Sequence, residues 1–273
     1  MNKITLVFFI LITFSYVEAK PPYKNTAFEF NNIINFKDKT TLQELIYIGE
    51  EKRKIVIWEG NKKTIQKKTT HVYHSFFENN IAIEILVYSE KNKNKGNGKD
   101  LASQYAKIIG QMPYVLIQRL DALVIFLDPQ IDKYLVAIGS PWDRTVTFFP
   151  LYNLSETPYL EELFVHELVH ASLDKPPSGL YKALNPKISK NSSKIKNLNN
   201  GKFRKARKKD KEYISDYAKK AVYEDLAESF LMWLAYRYNR VSEVEKAKIL
   251  EAIPNRIKYF DAQNFNMYPI ISY

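Results

Sequence analysis

The chain has 273 residues, 45% of them hydrophobic and 26% charged, a balance that excludes collagen-like, low-complexity and wholly disordered proteins. It contains no cysteine, which excludes disulfides, thiol nucleophiles and cysteine-ligated metal sites, so any metal must be held by His, Asp or Glu. The formal net charge of +11 suits a polyanionic partner only where the charge is concentrated on one surface.

The N-terminal segment predicts export. Lys3 precedes an apolar run over residues 4–17, and the small residue Ala19 stands just before a polar stretch. This order is typical of a signal peptide over residues 1–19, and the apolar run is shorter than the roughly 20 residues of a membrane-spanning helix. We therefore expect residues 20–273 to form a secreted, extracellular protein without a membrane span.

Residues 20–152 are predicted to be rich in strands. Residues 41–44 resemble a capping box and predict a short helix. A polar run over residues 91–99 predicts a loop, after which Asp100 caps a helix that ends near Gly110. Runs of β-branched and aromatic residues predict strands, over residues 55–58, 72–77, 81–88, 122–127, 134–138 and 145–149.

Residues 153–273 are predicted to be helical. Thr157 is suited to cap a helix that has Pro158 at its first position and ends before a pair of prolines. Two further helices are predicted, over residues 217–238 and 243–252. Because strands are followed by helices without a sharp boundary or an internal repeat, we expect a single domain of the α+β class.

The excess positive charge lies in one basic segment, between Lys182 and Lys220. It contains fourteen Lys or Arg residues and three acidic residues, and fourteen minus three leaves a balance of +11. We favour a solvated linker and helix face as its interpretation. The alternative is a surface that attracts a polyanion such as an acidic glycan or a phospholipid layer. Nucleic acid is not expected as a partner of an exported protein.

Two histidines lie four residues apart in the first predicted helix, in the sequence His166-Glu167-Leu168-Val169-His170. Side chains at i and i+4 share one helical face, so both imidazoles can bind one ion, and zinc accepts neutral imidazole. Glu167 lies beside that face, where it can take a proton from metal-activated water and pass it to a leaving amine. The alternative is a hydrogen-bonded pair of histidines without an ion, which the apolar surroundings make costly.

A third protein ligand would leave one coordination position open, as catalytic zinc sites require. The metzincin pattern is absent, because Leu173 and Pro176 stand where that class has Gly and His. Asp174 lies too far along the helix to share the ion, so we expect a structural role for it at the helix end. The later helix offers two carboxylates on one apolar face, Glu224 as a ligand and Glu228 as the group that orients a ligand imidazole.

The combination of HExxH with a later Glu-x-x-x-Glu resembles the gluzincin class of zinc metallopeptidases. Tyr217 precedes Glu224 by seven residues, and the sequence Leu-Ala-Glu-Ser-Phe follows over residues 226–230. These features resemble the anthrax lethal factor and proline-proline endopeptidase group and related uncharacterised exported peptidases. The resemblance covers about residues 160–233.

The resemblance implies a zincin-like fold, with a mixed sheet beside the active-site helix, one zinc ion per chain, and a peptide or protein substrate. It also implies that Tyr217 donates a hydrogen bond to the developing oxyanion, a role for which Tyr213 and Tyr223 are nearby alternatives. We expect an edge strand within residues 134–149 to hold an extended peptide.

The sequence therefore predicts an exported zinc metalloendopeptidase. Two alternatives remain open: a catalytically silent protein of the same fold that binds an acidic partner through the basic segment, and a zinc hydrolase of non-peptide amides or esters. The other two histidines, His71 and His74, lie at i and i+3 of a predicted strand and so on opposite faces. This spacing argues against a metal shared between them.

Overall fold

The computed structural model describes residues 39–59, 62–89, 95–127, 137–141, 143–149, 160–174, 197–210 and 212–270. The expected signal peptide, the cap at Thr157 and residues 182–196 of the basic segment lie outside these ranges. Among the helices within them, none is both long and apolar enough to cross a bilayer.

Six strands of the described chain form one mixed sheet. They are β1 Leu42–Glu59, β2 Lys62–Phe77, β3 Ile81–Tyr88, β4 Ala122–Phe126, β5 Ala137–Ser140 and β6 Thr145–Phe148. Their order in the sheet is β1-β2-β3-β4-β6-β5. β4 pairs in parallel with β3 and with β6, and the other neighbours are antiparallel. β5 is therefore one edge of the described sheet.

Helices pack on one face of this sheet. They are α1 Lys95–Ile109, α2 Tyr114–Ile117, α3 Leu160–Leu173, α4 Gly201–Lys209, α5 Asp216–Lys220, α6 Val222–Arg237, α7 Glu243–Ala252 and α8 Pro254–Asp261. α3 contacts both β5 and α6. The described chain is thus α+β with a mixed sheet, and this part of the fold prediction is confirmed.

Alternation of side chains along the strands divides the apolar residues into two clusters. Leu123 of β4 packs with the helices in the main core, whereas its neighbour Val124 belongs to a smaller cluster on the opposite face of the sheet. In the main core, the ring of Phe148 from β6 stacks on that of Phe164 from α3, with the centroids 4.3 Å apart. This contact holds the middle of α3 against the sheet.

The prediction of a short helix that opens with a capping box over residues 41–44 is wrong, because β1 begins at Leu42. The backbone N–H and the hydroxyl of Thr41 both donate to the carbonyl of Gly110, each at 2.8 Å, so the side chain does not cap a helix. From Leu42 onward, β1 pairs with β2 along its whole length. Local propensity is weak beside a long ladder of strand hydrogen bonds, and the ladder decides the structure here.

The start of α1 also differs from the prediction. The helix begins at Lys95, inside the expected loop, and Asp100 lies within it rather than at its cap. Gly98 approaches β3, and a Cβ added there would lie 3.4 Å from Cγ1 of Val87. Packing against the sheet thus stabilises a first turn whose glycines had suggested a loop. The predicted end of the helix near Gly110 agrees with the structure.

The C-terminal helices agree with the prediction in part. The helix expected over residues 217–238 is two helices, α5 and α6, because Ala221 between them is extended with φ −153° and ψ 160°. The helix over residues 243–252 has the predicted bounds. α4 and α8 were missed. Of the strand predicted over residues 134–138, residues 137 and 138 lie in β5, and residues 134–136 lie outside the described ranges.

Candidate metal centre

The HExxH motif lies on α3, which is buried along most of its length. Val165 and Leu168 are fully buried in the main core, and the two motif imidazoles are buried with them. His166 is 3% exposed and His170 is 8% exposed. Polar side chains held this far from water need close polar partners.

Glu224 of α6 brings a carboxylate to these two imidazoles. Its Oε2 lies 3.1 Å from Nε2 of His166 and 3.2 Å from Nε2 of His170. The two Nε2 atoms are 3.1 Å apart. A tetrahedral ion with bonds of about 2.0 to 2.1 Å separates its ligand atoms by about 3.3 Å, so the three atoms match one face of such a site. This buried triad could hold a metal ion, and within the described ranges no further His, Asp or Glu joins it.

The three groups of the triad are electrostatically coupled. Burial lowers the pKa of His170, but Asp174 and Glu224 more than offset this and raise it from 6.5 to about 9. Burial likewise lowers the pKa of His166, and hydrogen bonds with Glu224 and Glu228 bring it well above 6.5. For Glu224, burial raises the pKa, yet the two imidazoles bring it below its usual value of 4.5. Protons on the imidazoles must leave when a cation binds.

Metal affinity is therefore expected to rise with pH. The proton displaced from His170, whose pKa is raised to about 9, should increase the affinity about tenfold per pH unit up to about that pH. In the metal-free protein, the same raised pKa contributes stability that is complete below about pH 6.5 and is lost as the pH rises through about 9. Zinc titration by calorimetry in buffers of different ionisation enthalpy measures both affinity and proton release. An affinity that is constant over this pH range would contradict the assignment.

Glu228, one turn after Glu224, lies behind His166. Its Oε1 is 2.8 Å from Nδ1 of His166, and its Oε2 accepts a hydrogen bond from the Ser215 hydroxyl at 2.8 Å. A carboxylate on Nδ1 fixes the ring so that Nε2 faces the triad. The structure thus places Glu228 where it can orient a ligand imidazole, and it adds Ser215, which sequence reasoning missed.

Asp174 supports the second imidazole. Its Oδ2 lies 3.6 Å from Nδ1 of His170, within ion-pair range, and its Oδ1 accepts a hydrogen bond from Nδ2 of Asn199 at 2.9 Å. It does not belong to the triad. Besides lying at the end of α3, Asp174 raises the pKa of His170 through its side-chain interaction with the imidazole.

Ser215 connects two parts of the site. Its hydroxyl donates to Glu228 and accepts from the N–H of Ala218 at 3.0 Å, which caps α5, the helix that carries Tyr217. Ser215→Ala is expected to lower zinc affinity about tenfold, the lower end of the range for partners of metal ligands. Competition with a chromophoric chelator measures this affinity, and Ser215→Thr should restore most of it.

Ser242→Ala is the matched control, because Ser242 caps α7 through a capping box with Glu245. Both replacements remove a helix cap, which costs about 1 kcal/mol of stability. Only the replacement at position 215 also removes a donor to Glu228. Equal zinc affinities in the two alanine variants would show that Ser215 acts only as a cap.

Glu167 contacts the edge strand of the sheet. Its Oε2 accepts a hydrogen bond from the backbone N–H of Gly139 in β5. β5 and α3 are so close that a Cβ at position 139 would lie 2.0 Å from the carbonyl oxygen of Glu167, so only glycine fits there. The two residues are 28 positions apart, and no local pattern in the sequence indicated their contact.

Tyr217 contacts the triad directly. Its hydroxyl donates to Oε1 of Glu224 at 3.1 Å, and its ring centroid lies 5.6 Å from that of His166. Burial, together with the charge of Glu224, raises the pKa of Tyr217 well above 10. The phenol therefore keeps its proton and remains a hydrogen-bond donor at any physiological pH.

The other two tyrosines considered for this role lie differently. The ring of Tyr223 is 5.7 Å from that of His170 and is 47% exposed, so it borders the site on the solvent side. Tyr213 instead lies against Arg207, whose guanidinium is 4.8 Å from the ring centroid. Of the three, only Tyr217 has a hydroxyl bonded to a triad residue among the described contacts.

Asp225, the neighbour of Glu224, points away from the triad. It accepts hydrogen bonds from the fully buried Arg256 of α8 and, at 3.0 Å, from Nε of Arg207 of α4. Ser229 donates to it at 3.2 Å. These contacts tie α6 to two other helices and hold Glu224 at a fixed position in the core.

His71 and His74 take no part in the site. Nδ1 of His71 is 3.1 Å from the hydroxyl of Tyr47, and Nε2 of His74 is 3.3 Å from Oε1 of Glu84. Neither histidine belongs to a cluster of metal-ligating side chains in the part of the chain that the structure describes.

No protein-family model matches the sequence, and no curated protein is significantly similar to it. The function has therefore to be inferred from the site itself. α3, α5, α6 and β5 together bring a buried set of two imidazoles and one carboxylate next to a second carboxylate and a phenol.

Proposed function

We propose that this protein is an exported zinc-dependent endopeptidase with a zincin-like fold of the gluzincin type. The observation that supports it most is the convergence of α3 and α6, which brings ligand atoms of His166, His170 and Glu224 within 3.2 Å of one another. Two imidazoles and one carboxylate suit zinc, and three protein ligands leave a coordination position for solvent or substrate. One zinc ion would bind per chain.

Bound zinc would polarise the scissile carbonyl and lower the pKa of a water molecule, so that a nucleophile is available near neutral pH. Glu167 acts as the general base. Since the N–H of Gly139 holds its Oε2, Oε1 is the atom that takes the proton from the attacking water. The same carboxyl then delivers that proton to the nitrogen of the leaving amine.

Tyr217 donates a hydrogen bond to the substrate carbonyl oxygen as negative charge develops on that oxygen. Its bond to Oε1 of Glu224 holds the phenol beside the triad, and its raised pKa keeps the proton in place. A hydrogen bond that strengthens as charge develops stabilises the transition state more than the bound substrate. Glu228 and Asp174 act through the imidazoles, which they hold in orientation.

The substrate is proposed to be a peptide bound in an extended conformation along β5. This strand is an edge of the described sheet, and Gly139 within it touches Glu167. Edge strands bind extended peptides through backbone hydrogen bonds, with side chains directed alternately to either side. A peptide paired with β5 would therefore lie close to Glu167.

Export and binding of a polyanion through the basic segment remain predictions. The described part of that segment, α4, exposes Lys202, Lys205 and Lys208, which leaves a cationic surface. Arg207 of the same helix instead pairs with Asp225 inside the protein. Part of the positive charge of the basic segment is therefore used in an ion pair within the protein and is not available to a partner.

Digestion of a peptide library by the purified chain tests the proposal. We expect cleavage that a chelator abolishes and added zinc restores. If the zinc-loaded protein cleaves no peptide, the peptidase proposal is wrong and the catalytically silent binding protein is favoured. Cleavage of small amides or esters alone would favour the non-peptide hydrolase.

A further inference from the structure

The paired strands β1 and β2 extend beyond the rest of the sheet. β3 pairs with β2 only between His71 and Phe77, so the described residues 52–59 and 62–69 pair only with each other. One face of such a two-stranded ribbon can pack against the rest of the protein while the other face is exposed to solvent. We call this part the β1–β2 ribbon.

The inner face of the ribbon is anchored to the protein. Ile55 and Ile57 are buried in the smaller apolar cluster, on the face of the sheet opposite the helices. On the same face, Arg53 donates to Glu84 of β3 at 3.1 Å, and the ammonium of Lys68 lies 5.9 Å from the centroid of the Tyr88 ring. The ribbon therefore has a fixed orientation, and its other face is turned outward.

The outer face carries like charges directly opposite each other. In the register of the two strands, Lys52 faces Thr69 and Lys54 faces Lys67. Like charges opposite each other across two strands are destabilising. All three lysines are exposed, and none of them makes an ion pair with a described carboxylate. The charges of Lys54 and Lys67 therefore repel each other, and an external anion bound between them would reduce this repulsion.

The same face also exposes apolar surface. The next cross-strand pair after Lys54 and Lys67 is Val56 with Ile65, and Ile65 is 62% exposed. Val56 beside it is half-buried, so the outer face carries apolar surface next to its lysines. By contrast, α4 exposes lysines but no large hydrophobic side chain.

We propose that the outer face of the β1–β2 ribbon, formed by Lys52, Lys54, Val56, Ile65, Lys67 and Thr69, binds the surface of a bilayer rich in anionic phospholipid. Lysines interact favourably with anionic headgroups, and apolar side chains beside them enter the boundary between headgroups and acyl chains. A soluble polyanion would match the lysines but would leave Ile65 exposed to water. This inference is independent of metal binding and of peptidase activity.

Sedimentation of the purified full chain with lipid vesicles tests the inference. We expect binding to vesicles of phosphatidylcholine and phosphatidylglycerol in equal parts, and none to pure phosphatidylcholine. The double variant Lys54→Gln with Lys67→Gln should bind about 25-fold more weakly, since each lysine near such a surface contributes about fivefold. Ile65→Ser should weaken binding several-fold at low and at high salt. The variants should fold, because they change exposed side chains and relieve repulsion.

The matched control is the double variant Lys205→Gln with Lys208→Gln on α4, which removes the same charge from another exposed surface. It should bind vesicles nearly as well as the unmodified chain. The inference is wrong if the ribbon and α4 variants lose vesicle binding equally, or if neither does. It is also wrong if Ile65→Ser has no effect and heparin binds the ribbon as tightly as vesicles do, because the partner would then be a soluble polyanion.

Discussion

Glu167→Gln is expected to abolish peptide hydrolysis while leaving zinc binding intact. Glutamine keeps the size of the side chain and can remain near Gly139, but it cannot take a proton from the attacking water. General base catalysis contributes about a hundredfold to ten-thousandfold, so kcat/KM should fall by that factor. The measurement is the rate of cleavage of a fluorogenic peptide by protein whose zinc content is determined on the same sample.

Glu251→Gln is the control for this change, since Glu251 is an exposed residue of α7 and the chemical replacement is identical. It should leave cleavage unchanged. If Glu167→Gln retains full activity with zinc bound, another group is the base and the assignment fails. If the variant loses zinc as well as activity, Glu167 contributes to zinc binding, and its role as the general base is not supported.

Glu224→Ala is expected to lose zinc. Partners that only orient a metal ligand contribute about 10-fold to 100-fold to affinity, and removal of a ligand should exceed that range. The variant also loses the acceptor of the Tyr217 hydroxyl, so activity should not recover fully even with excess zinc. Chelator competition measures the affinity, and peptide cleavage at saturating zinc measures the remaining activity.

Asp225→Asn separates loss of the metal from loss of the fold. Asp225 adjoins Glu224 on α6 but binds Arg256 and Arg207, so removing its negative charge should lower the melting temperature. Zinc affinity should stay close to that of the unmodified chain. The ligand assignment is wrong if Asp225→Asn releases zinc while Glu224→Ala retains it.

The local patterns of the sequence predicted the parts of the site that depend on one helix at a time. The i, i+4 spacing of His166 and His170 on α3, and of Glu224 and Glu228 on α6, follows from helical periodicity alone. That the two helices meet was a hypothesis from chemistry: buried ionisable groups need partners, and each helix carried groups that the other could satisfy.

The contacts that sequence reasoning missed join residues without a shared pattern. Gly139 reaches Glu167 from a strand 28 residues earlier, and Asn199 reaches Asp174 across 25 residues. Such contacts depend on how the sheet and helices pack together. Ser215 could have been found, because a serine before a short helix indicates a cap, but its second bond to Glu228 depends on tertiary structure.

The errors in secondary structure have a similar cause. Thr41 lies in a sequence typical of a helix cap, yet pairing between β1 and β2 decides its conformation. The glycines at the start of α1 suggested a loop, but Gly98 permits close packing on Val87. The sequence did not predict α4. Only Phe203 and Ala206 of this helix are buried, and two apolar positions are too few to show a helical period.

The amount of zinc bound per chain tests the central hypothesis most directly. Protein incubated with zinc and then freed of excess metal should contain one mole of zinc per mole of chain by elemental analysis, and the His166→Ala, His170→Ala and Glu224→Ala variants should contain far less. A folded, unmodified chain that retains no zinc under these conditions, or whose zinc content is unchanged in all three variants, would contradict the proposed metal centre.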